Sequence, residues 1–156
     1  MAIYQFYREQ KLKGSMDEVW NFISSPENLQ EITPKYMGFQ ITSKYISKKI
    51  YPGMLIEYKV RPVLNIPLTW LTEITQVKEK EYFVDEQRVG PYKIWHHEHK
   101  IIPADGGVLM TDLVTYQPPF GFLGRIAEKA IVNRRVDAIF EYRKKVLEEI
   151  FKNEPR

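Results

Sequence analysis

Hydrophobic residues in the central part of this chain recur at every second position. From Phe83 to Tyr116 (FVDEQRVGPYKIWHHEHKIIPADGGVLMTDLVTY) the alternation breaks only at Gly90-Pro91 and at Ala104-Asp105-Gly106-Gly107, which predicts three consecutive antiparallel strands joined by hairpins. Side chains alternate across a pleated sheet. Trp95, His97, His99 and Ile101 therefore share one face, while His96, Glu98 and Lys100 share a water-facing one. If Asp105-Gly106 forms the two-residue turn that this dipeptide favours, Ala104 faces Gly107. The register then pairs Ile101 with Met110, His99 with Asp112, His97 with Val114 and Trp95 with Tyr116. A slip of one residue would send every one of these side chains to the other face.

The same period runs through Ile3 to Leu12, with Tyr4, Phe6 and Arg8 on one side, and through Phe39 to Ile46, Met54 to Val60 and Ile66 to Val77. Met54, Ile56, Tyr58 and Val60 share a face, as do Trp70, Thr72 and Ile74. The charged run Lys78 to Glu81 reads as a solvated hairpin tip. A four-residue loop there sets Ile74 across from Asp85 and Thr72 across from Gln87, so that Phe83, Asp85 and Gln87 point inward.

Helical signals bracket the strands. Ser15-Met16-Asp17-Glu18 is a capping box that starts a helix carrying Val19, Trp20, Phe22 and Ile23. Ser25-Pro26 starts a second short one, with Ser25 as its cap and Leu29 and Ile32 as its anchors, and Thr33-Pro34 ends it. After Tyr116, Gln117-Pro118-Pro119-Phe120-Gly121 closes the sheet, because proline has no amide for a ladder. A long helix is then expected over Phe122 to Lys152. Its stripe of Val132, Val136, Ile139, Phe140, Val146, Leu147, Ile150 and Phe151 is out of phase with Phe122, Ile126, Ala127 and Ala130, which predicts a separate first turn or a bend near Ala130. Asn133 flanks the stripe. The runs Arg134-Arg135 and Arg143-Lys144-Lys145 read as a solvated face.

A chain of 156 residues is expected to form one domain, 1–156, with a real core. Its 23 basic and 20 acidic residues are spread along the chain, so no nucleic-acid footprint is read. The lack of cysteine removes disulfides, thiol catalysis and cysteine-ligated zinc. No apolar run reaches the length of a membrane span, and MAIYQFYREQ lacks the layout of a signal peptide, so a soluble cytoplasmic protein is the expectation.

The order of strand, two short helices, about six antiparallel strands and one long C-terminal helix resembles the α+β helix-grip fold of the START-like (SRPBCC) superfamily. In that fold a curved antiparallel sheet wraps around the C-terminal helix. The likeness is closer to a bacterial branch of stand-alone proteins related to polyketide cyclases. It rests on Trp70, Thr72 and Ile74; on Phe83-Val84-Asp85-Glu86-Gln87 and Gly90-Pro91-Tyr92; on Trp95, His97, His99, Asp112, Tyr116, Pro118 and Gly121; and on Phe140-Glu141-Tyr142-Arg143. The resemblance covers essentially the whole chain. It implies a mostly apolar cavity between sheet and helix for a lipid, quinone or polyketide-like molecule. It does not imply a reaction.

Three chemistries fit the polar residues. His97 and His99 with Asp112 have the spacing of a His-x-His metal site on a strand, but no fourth ligand is evident, and no metal or other cofactor is expected. His99 oriented by Asp112 could act as an acid–base pair in a cyclase or aromatase. The favoured reading is ligand recognition, with Asp85, Gln87, His97, His99, Asp112 and Asn133 supplying directed polar contacts beside Trp70, Thr72, Trp95 and Tyr116. The expected partner is a small hydrophobic molecule. The apolar segment Pro118 to Leu123 could serve as a lip for transient membrane contact.

Overall fold

The computed structural model describes residues 2–61, 66–119 and 133–152. The elements are β1 (Tyr4–Leu12), α1 (Met16–Ile23), two 3-10 turns (Pro26–Leu29 and Lys35–Met37), β2 (Gln40–Ile41), β3 (Met54–Val60), β4 (Leu68–Lys78), β5 (Tyr82–Val89), β6 (Ile94–Ala104), β7 (Gly107–Gln117) and α2 (Asn133–Ile150). The strands form one sheet in the order β1-β7-β6-β5-β4-β3-β2. All neighbours are antiparallel. This is the expected helix-grip order, a curved sheet with α2 against its inner face.

Local chemistry accounts for the framework. The Ser15 hydroxyl accepts from the Glu18 amide at 3.2 Å while the Glu18 carboxylate accepts from the Ser15 amide at 2.8 Å, closing the predicted capping box of α1. That helix buries Val19 and Trp20, and the Trp20 ring meets Phe83 edge-on at 6.2 Å between centroids. Burial of such side chains contributes about 2–3 kcal/mol each. The α2 helix is docked on β1 by Arg8, which pairs with Asp137 and Glu141, and by the Gln10 amide, which donates to the Lys144 carbonyl at 2.7 Å.

The β6–β7 hairpin has the expected register throughout, from Ala104 opposite Gly107 to Trp95 opposite Tyr116. Gly106 carries the left-handed φ of the turn, +72°. Gly107 is required by a close approach: a Cβ there would stand 1.9 Å from the Leu12 carbonyl oxygen of β1.

Several expectations are corrected. The β4–β5 loop holds three residues, since Lys78 pairs with Tyr82, and Lys80 takes a left-handed φ of +60° to close it. A bulge between Ile74 and Gln76 shifts the ladder by one and restores Ile74 opposite Asp85 and Thr72 opposite Gln87. Only Gln40 and Ile41 of the run from Phe39 to Ile46 pair as a strand, because the Glu57 amide donates to the Ser43 hydroxyl at 2.7 Å in place of a ladder carbonyl. The second short helix is a single 3-10 turn, and Ser25 makes no side-chain cap. Arg143 belongs to the buried face of α2 with Val136, Phe140 and Leu147, and is not part of a solvated face. The expected first turn before Asn133 and the bend near Ala130 fall outside the described residues.

Replacing Gly107 with alanine puts a methyl group on the β1 backbone at a φ that L residues rarely adopt. The expected loss is at least about 2 kcal/mol of stability, read by denaturant unfolding. An unchanged midpoint would refute the close packing of β1 on this turn.

Candidate ligand-binding site

The inner faces of β3 to β7, the α1 and 3-10 segment, and α2 enclose a cavity of about 320 Å³. Period-two alternation delivers its walls. The inward positions of β3 and β4 supply Ile56, Tyr58, Val60, Trp70, Thr72 and Ile74, and α2 supplies Val136, Ile139 and Phe140. Aromatic rings interlock at one side: Trp70 meets Trp95 edge-on at 5.3 Å, and Tyr92 lies 4.8 Å from Trp95. The Tyr58 hydroxyl is bonded to that of Thr72 at 2.8 Å, and burial pushes the Tyr58 phenol well above its ordinary pKa. Burial also raises the Tyr92 phenol, to about 12.

The polar residues gather on β5, β6 and β7. Asp85 stands across the ladder from His97, and Asp112 stands across from His99. His97 Nε2 lies 2.8 Å from Asp112 Oδ1, and His99 Nδ1 lies 3.0 Å from the same oxygen. On the other side, His99 Nε2 is 2.8 Å and His97 Nδ1 is 3.5 Å from Asp85 Oδ2. The two imidazoles, with centroids 3.7 Å apart, are thus held between two carboxylates. Phe83 stacks on His99 at 4.1 Å, and Arg143 Nη1 reaches to 3.7 Å from Asp112.

Proton counting explains the asymmetry. A neutral imidazole has one N–H, so it can donate to only one carboxylate. His99 makes short contacts to both, and although burial disfavours its charge, bonds to Asp112 and Asp85 raise its pKa above the ordinary value. For His97, burial and the neighbouring His99 charge dominate and push the pKa down to about 4. Its longer contact to Asp85 suits a nitrogen without a proton. Burial opposes ionisation of Asp112, but hydrogen bonds from His97 and His99 hold its carboxyl below the usual range. Asp85 is likewise lowered, against burial, by the His99 hydrogen bond and the charges of His97, His99 and Arg143. Two carboxylates then balance His99 and Arg143, which satisfies the rule that buried charges are paired.

Six of the ten residues singled out from sequence line the cavity: Trp70, Thr72, Asp85, Trp95, His97 and His99. Asp112 is buried behind the two imidazoles, and Tyr116 is buried within 6.1 Å of the Trp95 ring. Gln87 braces the β5–β6 turn instead, donating to the Tyr92 carbonyl at 2.6 Å and accepting from the Tyr92 amide at 3.2 Å. Asn133 is exposed at the start of α2 and is not brought to the cavity. Arg143 was missed, although its spacing from Val136, Phe140 and Leu147 puts it on the apolar stripe, and that phase was the available signal. Its Nε and Nη1, together with Trp70 Nε1, are buried without a hydrogen-bond partner among the described residues. Asp85, His97 and His99 each bring one ligand atom within 4.8 Å of the other two, a set able to hold a metal ion.

The family model described as a domain of unknown function, DUF8410, matches residues 10–151. No protein of curated function matches the sequence. Among solved structures, TTHA0849 from Thermus thermophilus aligns with a TM-score of 0.71 at 15% identity, over 94% of this chain and 95% of its own. A START superfamily protein from Mycobacterium smegmatis aligns with a TM-score of 0.70 at 13% identity, over 95% and 97%. Ara h 8.0201 aligns at 0.64 and 16% identity, over 95% and 99%. The chain has the START-like helix-grip fold. No helix among the described residues is long and apolar enough to cross a membrane.

In chelator-treated protein, His97 is expected to stay neutral as pH falls through 6.5 and to protonate near 4, while His99 stays protonated above 6.5. A lowered histidine contributes stability that is present above its unfolded pKa and lost as pH falls through the folded one, whereas a raised histidine contributes stability lost as pH rises. The cluster therefore stabilises most near pH 6.5, with acid losses from His97 between 6.5 and about 4 and from the two aspartates below 3.8. Imidazole-nitrogen NMR titration checks this, and two unshifted histidine curves would contradict it.

Proposed function

We propose that this chain, which belongs to the DUF8410 family, binds a small apolar molecule whose polar end carries hydrogen-bond acceptors, in the cavity between the sheet and α2. The family description assigns no activity. What carries the reading is the mostly apolar cavity with Arg143 in its wall, a side chain whose Nε and Nη1, like Trp70 Nε1, are buried with no hydrogen-bond partner among the described residues. A buried donor left without a hydrogen bond costs about 1–3 kcal/mol, which a ligand carboxylate or carbonyl oxygen that reaches it would offset. A volume near 320 Å³ sits at the small end of ligand pockets and suits a medium-chain lipid, a quinone or a compact polyketide. Residues 1–156 then form one ligand-binding domain, and the START-like likeness supports this use of the fold. We take it to work in the cytoplasm, in keeping with its lack of cysteine.

A cyclase or aromatase reaction through His99 and Asp112 draws less support. The two carboxylates around His99 favour its protonated form, and an imidazolium cannot accept a proton. For carriage to a membrane, Phe120 to Leu123 of the proposed lip lie outside the described residues.

The test is fluorescence titration with a medium-chain fatty acid and with the matching alkane. Arg143→Met is expected to weaken the fatty acid by about 10- to 100-fold, from the roughly 1.5–3 kcal/mol of a charged hydrogen bond, and to leave the alkane unchanged. Ile139→Trp, which fills the cavity, is expected to abolish both. Unaltered affinities in two folded variants would sink the proposal.

A further inference from the structure

We propose that Asp85, His97 and His99 bind one divalent transition-metal ion on the cavity wall, with Asp112 as the outer carboxylate that orients both imidazoles. The nitrogens on the Asp85 side, His97 Nδ1 and His99 Nε2, lie 3.5 and 2.8 Å from Asp85 Oδ2. Metal–ligand bonds of about 2.0–2.2 Å in tetrahedral geometry separate ligand atoms by about 3.3 Å, so these two distances bracket what a coordinated set needs. The opposite nitrogens, His97 Nε2 and His99 Nδ1, converge on Asp112 Oδ1 at 2.8 and 3.0 Å. Metal-bound histidines commonly donate their other N–H to a carboxylate, which fixes the tautomer and turns the lone pair to the ion. One buried oxygen performs that service for two rings at once.

The placement is also directional. Asp85, His97 and His99 line the cavity, whereas Asp112 does not. An ion held by the three faces the cavity on its open side. No fourth histidine, cysteine or carboxylate joins the group among the described residues, so the site is open, with at least one position for an oxygen donor of a cavity ligand. Two imidazoles and one carboxylate select a borderline ion such as zinc or ferrous iron over magnesium or calcium, which prefer all-oxygen shells. The ion replaces one proton of the imidazole pair. With both aspartates ionised and Arg143 beside them, the set then carries one net positive charge, which favours an anionic donor at the open position.

The set differs from the one the strand alternation alone brought forward. Asp112 holds His97 and His99 from behind, and Asp85, from the neighbouring strand, completes the inner face.

The experiment adds zinc chloride to chelator-treated protein, with calorimetry for stoichiometry and imidazole-nitrogen NMR for location. The expected result is one ion per chain, with both His97 and His99 nitrogens shifted and His96 unmoved. His96 is the internal control, since it lies on the other face and bonds to Glu86 at 3.0 Å. Asp85→Asn is expected to weaken zinc at least 100-fold, and Asp112→Asn, acting as a positioning change, 10- to 100-fold. Absence of saturable heat, or shifts confined to His96, overturns the site whether or not the variants fold. The same samples titrated with the fatty acid separate the two readings: fatty-acid binding without zinc binding sinks the metal site alone, and zinc binding without fatty-acid binding sinks the cavity reading alone.

Discussion

Two carboxylates, Asp85 half-buried in the wall of a largely apolar cavity and Asp112 buried behind the imidazoles, are largely withdrawn from water, and the arrangement around them follows from that cost. An ionised carboxylate taken out of water must be paired and hydrogen-bonded, or it takes up a proton. Here the compensation is shared among His97, His99 and Arg143, which come from a central strand and from the C-terminal helix. The sheet register, the docking of α2 and the polarity of the cavity therefore meet at one cluster.

That meeting has mechanical consequences. Arg143 lies beneath the same helix face that packs Phe140 on Phe6 at 4.7 Å and on His97 at 5.5 Å. Whatever occupies the cluster consequently touches the contact between α2 and the sheet. Elsewhere Tyr58, Trp70, Tyr92 and Trp95 line the cavity with wide aromatic surface. A molecule entering the cavity meets an asymmetric container, with one end charged and hydrogen-bonding and the rest aromatic and aliphatic. Such asymmetry sets orientation more than affinity, because burial of apolar area is non-directional whereas a guanidinium donates to oxygen in few directions.

The β4–β5 hairpin shows how an inner face keeps its pairing when loop and ladder each depart from regular geometry. The turn is one residue shorter than the charged run suggests, and the bulge at Thr75 returns the lost residue, so Asp85 and Thr72 still face inward. Burial of one sheet face tolerates a bulge but not a register slip that would expose Ile74 and Phe83.

Period-two alternation and the Asp105-Gly106 turn determined, from sequence alone, that His97, His99 and Asp112 would share a face, because both rules act between near neighbours in the chain. The capping box at Ser15 and Glu18 and the proline stop after Gln117 were legible for the same reason. Only the tertiary structure decided that Gln87 would spend its amide on the Tyr92 backbone, that Asn133 would stay at the surface, and that Asp112 would sit behind the imidazoles while Asp85 stood before them. Helical phase put Arg143 on the apolar stripe, but only the packing of helix on sheet set it beside Asp112. Those outcomes depend on which surfaces meet when helix and sheet pack, and the charge balance that places an arginine there is a sum over residues far apart in sequence, which no local pattern records.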